Sequence, residues 1–205
     1  MDLPFAVPQL SYEQVREYAE AFLAKYHSSR QIPVPIEEVV EFQLGIDIVP
    51  LPGIEESFDV VGFTSSDLAE ISVDEYVYKR QTRRYRFTLA HEVGHVILHA
   101  DLFKKYTFRN TEEWKQFIKT LPEMEYRLLE LQAYNFAGLV LVPGDALQHE
   151  LKESVRRVKA QGVNQANDFA RDLVVDLVAT RFEVSTDVVE RRLNFDKIKF
   201  ATFWP

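Results

Sequence analysis

The residues best suited to do chemistry are His91, Glu92 and His95, in the run Arg86-Phe-Thr-Leu-Ala-His-Glu-Val-Gly-His-Val-Ile-Leu-His99. Two imidazoles at i and i+4 leave a helix from one face, about 6 Å apart along its axis, and can converge on one cation. A carboxylate one residue after the first is turned by about 100° around the helix. It can reach a water on that cation without becoming a ligand. The spacing His-Glu-x-x-His therefore supplies two metal ligands and a general base for metal-assisted hydrolysis of a peptide bond.

The surroundings sharpen this reading. Phe87, Leu89, Ala90, Val93, Val96, Ile97 and Leu98 cover nearly every direction around the helix, and a helix apolar all round is a buried one. Burying unpartnered imidazoles and a carboxylate costs roughly 1–3 kcal/mol each, which a bound metal would offset. Gly94 costs about 1 kcal/mol relative to Ala in a helix interior, so a close approach by another element is expected there. Catalytic zinc sites use three protein ligands and a water. The best candidate for the third is Glu130, which falls within the apolar stripe Tyr126, Leu129, Ala133, Phe136, Ala137 and Val140 of a second long helix. Glu123 and Glu125 lie off that stripe or near its start. His99 is about 12 Å along the axis from His91, which fits a supporting or packing role. His27 and His149 have no motif around them and read as surface residues. Tyr85, Tyr126 and Tyr134 are candidates to stabilise an oxyanion.

The elements that must hold these groups follow in order. A helix over 11–26 opens with a capping-box pattern, Ser11 with Gln14. A short helix from Pro35 to Leu44 stops at Gly45. A strand over 46–49 is ended by Pro50, Pro52 and Gly53. Strands over 59–64 and 70–74 form a hairpin through Ser65-Ser66-Asp67, and its outer edge could receive an extended peptide. Lys79, Arg80, Arg83, Arg84 and Arg86 lead into the motif helix. Such a run reads first as a solvated face, and second as an attractor for acidic substrate. Residues 101–110 read as irregular. Thr111 caps a short helix carrying Trp114, Phe117 and Ile118, and Pro122 opens the long helix, which Pro143 closes.

The motif run, followed by Glu130-Leu-Gln-Ala133-Tyr-Asn-Phe136-Ala137-Gly-Leu-Val-Leu-Val-Pro143, resembles the ImmA/IrrE family of metallo-endopeptidases over about residues 11–195. The resemblance implies an α+β, zincin-like fold: a small sheet packed on helices and a C-terminal helical subdomain. It implies His91, His95 and Glu130 as ligands of Zn2+ (Mn2+ being an alternative) and Glu92 as base. It also implies a substrate class, helix-turn-helix transcriptional repressors whose cleavage releases genes. Two departures stand out. Tyr134 occupies the place of an Asn that here falls at Asn135, and the chain lacks the sensory domain of some members, which is closer to the short anti-repressor type.

Two divisions are expected: a peptidase domain over 1–160, and a segment over 161–205 packed on it. In that segment Phe169, Leu173, Leu177 and Phe182 precede a second helix carrying Val188, Val189 and Leu193, a spacing similar to a helix-turn-helix. Its second helix sets Asp187 and Glu190 against Arg191 and Arg192, which leaves no net charge for phosphate. Packing or partner docking is the expectation, with no direct nucleic-acid contact. Phe200, Phe203 and Trp204 in the tail must fold back or meet a partner.

The 205-residue chain carries a net charge of −8, which argues against a generic nucleic-acid binder. It has no cysteine, excluding disulfides and thiolate metal sites. No signal peptide or membrane span is legible, so a cytoplasmic location is expected. The rival function is a non-catalytic module that binds a repressor or antitoxin and merely keeps the fold; a retained base argues against it.

Overall fold

The computed structural model describes residues 7–106, 108, 110–163 and 165–204. The N-terminal reading on residues 1–6, and Pro205 of the tail, lie outside them. Helix α1 (Tyr12–Tyr26) starts on the expected capping box: Gln14 N donates to Ser11 Oγ at 3.3 Å, and Ser11 N donates to Gln14 Oε1 at 2.9 Å. Helix α2 (Ile36–Glu38) runs on into a π-helical turn, Val39–Leu44, which ends where Gly45 takes a left-handed φ of 67°.

Strand β1 (Asp47–Leu51) extends through Pro50 rather than stopping before it. It pairs only with β3, and an edge strand tolerates a residue that lacks an N–H. Helix α3 (Ile54–Phe58) lies where the sequence reading placed no element. The next strand, β2 (Gly62–Thr64), is therefore shorter than expected. Strand β3 (Glu70–Asp74) is central: antiparallel to β2, with Phe63 opposite Ser72, and parallel to β1, with Val49 opposite Ser72. Helix α4 (Glu75–Arg80), capped by Asp74, intervenes between the hairpin and the motif helix.

The motif helix α5 (Thr82–Leu98) and the long helix α8 (Glu123–Leu141) form the centre of the molecule. Between them lie α6 (Ala100–Phe103), in a stretch read as irregular, and α7 (Thr111–Thr120). The cap of α7 is Asn110, whose Oδ1 accepts from Glu113 N at 2.9 Å, and not Thr111. A Cβ at Gly94 would stand 3.0 Å from Ala133 Cα and 3.1 Å from its carbonyl oxygen. The glycine is what lets the two backbones touch, as its helix-interior cost suggested.

Helix α9 (Gly144–Ala160) was not legible as an element; α10 (Asp168–Phe182) and α11 (Thr186–Phe195) follow it. The buried phase of α10 is Ala170, Val174, Val175, Val178 and Ala179, so Phe169 is exposed and Leu173 and Leu177 are only half-buried. One apolar cluster runs continuously from α1 through α5 and α8 to α11. A smaller, aromatic one gathers Phe63, Phe103, Phe108, Trp114 and Phe117. The tail folds back as a 3-10 turn, Phe200–Phe203, onto α9, where Lys159 lies over the Trp204 ring. His27 is buried, bonded to the Gln31 carbonyl at 2.7 Å, and not the surface residue expected; His149 is exposed. Among the described residues no helix is long and apolar enough to cross a membrane.

Candidate metal centre and its cleft

Helix α5 presents His91 and His95 one turn apart, and α8 brings Glu130 opposite them. The His91 and His95 Nε2 atoms are 3.1 Å apart. Glu130 sets one oxygen 3.3 Å from His91 Nε2 and the other 3.6 Å from His95 Nε2. Zinc bonds of about 2.0–2.1 Å to a tetrahedral donor set imply edges of about 3.3 Å between donors. Three donors at that spacing, two imidazoles and a carboxylate, fit a divalent cation. They are also the one His/Asp/Glu group able to hold one among the described residues. Glu123 is exposed and pairs with Arg127, and Glu125 accepts from Val7 N, so neither alternative acid joins the cluster. Glu130 is only half-buried, because its position on the stripe faces a cleft rather than the core.

That cleft, of about 310 Å³, opens where the small aromatic cluster meets α5. Its walls include Val60 to Gly62 from the sheet edge, Phe87 and Thr88 from α5, and Phe103 and Trp114 opposite. A Cβ at Gly62 would stand 2.8 Å from Thr88 Cγ2, so the edge strand lies directly on the motif helix. This contact brings Thr64 onto Glu92: its hydroxyl donates to Glu92 Oε2 at 2.8 Å, with both residues buried.

Burial pushes the Glu92 carboxyl up to about 7, against the pull of His91 and the Thr64 bond. A carboxyl poised near neutrality is suited to take and return a proton. Burial lowers the His91 ring, but the hydrogen bond and charge of Glu130 outweigh it and hold its pKa above the ordinary value. His95 is pushed well down, by burial first and then by its two histidine neighbours. Burial takes His99 down to about 4. His95 Nδ1 faces His99 Nδ1 at 3.1 Å, and His99 Nε2 faces Gln132 Oε1 at 2.9 Å. Phe103 stacks on the His95 ring, with centroids 5.5 Å apart.

Of the three tyrosines, only Tyr126 lines the cleft. Tyr85 donates to Glu37, and Tyr134 packs between Phe87 and the Arg191 guanidinium. Four of the five basic residues find partners within the protein: Lys79 pairs with Glu75, Arg83 donates to the Thr180 hydroxyl, Arg84 pairs with Glu55, and Arg86 donates to the Val34 carbonyl. Thr64 and Gln132 went unread in the sequence. Gln132 carried a signal, a buried amide two residues after Glu130 in an apolar run; Thr64 at a strand end carried none.

A motif helix carrying His91 and His95, an acid from a second helix and a small sheet along the cleft make up a zincin-like α+β fold. The family model Peptidase_M78, described as the IrrE N-terminal-like domain, matches residues 43–194, and the chain belongs to that family. No curated protein matches it significantly. A solved Mycobacterium tuberculosis transcriptional regulator is similar in fold, with a TM-score of 0.52 and 15% identity. The match covers 90% of this chain and 52% of that one, so the chain spans about half that protein's length.

Proposed function

We propose that this protein is a zinc-dependent endopeptidase that cleaves a helix-turn-helix transcriptional repressor and so releases the genes it silences. The observation that carries the reading is the convergence of His91, His95 and Glu130 at ligand spacing beside a buried Glu92. In this reading the three side chains hold the ion, Zn2+ or in its place Mn2+. A divalent cation there would supply Lewis acidity and lower the pKa of water to about 7. Glu92 takes the proton of the attacking water through the carboxylate oxygen not bound by Thr64, then returns it to the leaving amine. Tyr126, on the cleft wall, is the candidate donor to the developing oxyanion. The free outer edge of β2 would align an extended stretch of substrate.

Residues 161–205 are assigned a bracing role on the 1–160 peptidase unit, without direct contact to nucleic acid, and the site of action is the cytoplasm. The likeness to a transcriptional regulator is in keeping with a target in transcription. The test is to incubate the zinc-loaded protein with the helix-turn-helix protein encoded beside its gene. Cleavage abolished by chelator is expected, and Glu92→Gln should still bind the partner yet cut at least about a hundredfold more slowly. Equal cutting by Glu92→Gln would sink the mechanism. Tight binding with no cutting by the zinc-loaded parent would make the protein a non-catalytic binding module.

A further inference from the structure

We propose that the Pro8 carbonyl, Gln132 and His99 form a positioning relay that dictates which ring nitrogen of His95 carries its proton, leaving Nε2 bare for a metal ion. The inference rests on the ligand role given to His95 above. It begins at a group with no freedom. The Pro8 carbonyl can only accept, so the Gln132 atom 2.6 Å from it must be the amide nitrogen. The amide oxygen is thereby turned towards His99, 2.9 Å from its Nε2. That oxygen also only accepts, so His99 Nε2 carries the hydrogen.

A neutral imidazole has one N–H, which leaves His99 Nδ1 as an acceptor. Its neighbour at 3.1 Å is His95 Nδ1, which must then be the donor. The His95 proton is held on Nδ1, and its Nε2 lone pair points at His91 and Glu130. Reversing the Gln132 amide would set two carbonyl oxygens against each other at Pro8. His95, His99 and Gln132 are 4%, 1% and 1% exposed, so the three side chains meet one another rather than bulk water. The segment before α1 therefore acts on the metal site through three hydrogen bonds, although Pro8 touches no ligand.

The relay is read directly by magnetic resonance of isotope-labelled histidine in the metal-free protein at mildly alkaline pH. The expected spectrum has His99 protonated on Nε2 and His95 on Nδ1. Zinc affinity, measured by competition with a chromophoric chelator, should weaken roughly 10–100-fold in Gln132→Leu and His99→Leu, the usual effect of removing a group that orients a ligand. His99→Asn keeps an acceptor near the Nδ1 position and should stay within about threefold of the parent, below that range. A metal-free parent with its His95 proton on Nε2 would overturn the relay. So would a folded His99→Leu that binds zinc as tightly as the parent. Because the metal-free spectrum involves neither zinc nor substrate, it separates this inference from the peptidase reading: a parent that cuts nothing but shows the expected tautomers refutes only the latter.

Discussion

Two helix pairs in this molecule look like functional motifs, and their polar groups are disposed in opposite ways. In α5 and α8 the candidate ligand atoms converge on one another and open into a cleft. In α10 and α11 the arginines nearest the core are tied to neighbouring elements, and no such group of ligand-type atoms converges among the described residues. Arg192, 4% exposed, donates to the Val142 carbonyl at 3.2 Å, to Asp196 at 2.9 Å and to the Tyr12 hydroxyl. Glu190 pairs with Arg171, and Arg191 lies over the Tyr134 ring. A helix that reads a groove needs bases free to meet phosphate; here they tie α11 to α1, α8 and α10. Spacing made both pairs look like sites. The disposition of their unspent polar atoms separates a site from a scaffold.

The sharpest way to break this contrast is Arg192→Ala. It leaves Asp196 buried with one cation fewer, Arg16 remaining at 2.7 Å. Chemical denaturation should show a loss of up to about 3 kcal/mol, below the full cost of stranding a buried charge because Arg16 and the Tyr12 hydroxyl still face Asp196. Zinc affinity of the folded fraction should not change. A loss of metal with stability intact would show that the two pairs are not separate devices.

Glu92→Gln should act in the other direction. The folded-state carboxyl titrates at about 7, above its ordinary value of 4.5. Between those values the folded state binds the proton that the unfolded state has lost, so the stability Glu92 contributes in acid disappears as pH rises through 7. In metal-free protein, Glu92→Gln should therefore gain stability relative to the parent as pH increases from 4.5 to 7. A pH-independent difference in melting would contradict the burial of a titrating carboxyl.

Thr64→Val should be gentler. It removes one hydrogen bond to a charged group, worth about 1.5–3 kcal/mol, and kcat should fall about tenfold or more while zinc affinity holds. Thr64→Ser should restore the rate. A change in metal affinity in place of kcat would place Thr64 with the ligands and not with the base.

The site was more legible than its support, for a physical reason. His91, Glu92 and His95 lie within one helical turn or so, and Glu130 stood out as a carboxylate inside an apolar stripe, because burying a charge without a partner is too costly to be incidental. Gly94 was legible by the same logic. Thr64 and Pro8 are ordinary polar or backbone groups until the chain folds, since a single hydrogen bond leaves no periodic trace, and Gln132 showed only as an amide in an apolar run. The same holds for α10, where the apolar spacing announced a helix but put its buried face on Phe169, Leu173 and Leu177, one position from the Val174 and Val178 face that packing selected.

By itself, then, the sequence determined the ligand-spaced pair, the acid beside it and the long apolar helices that carry them, all of which follow from 3.6-residue periodicity and the cost of buried charge. Tertiary structure alone decided that β2 would lie on α5 through Gly62, so that the Thr64 hydroxyl meets Glu92. It also decided that the chain before α1 would meet Gln132, and that Arg192 of α11 would be buried while Arg191 lies over the Tyr134 ring. Each of these joins residues far apart in the chain, and nothing local encodes which distant group a side chain will meet.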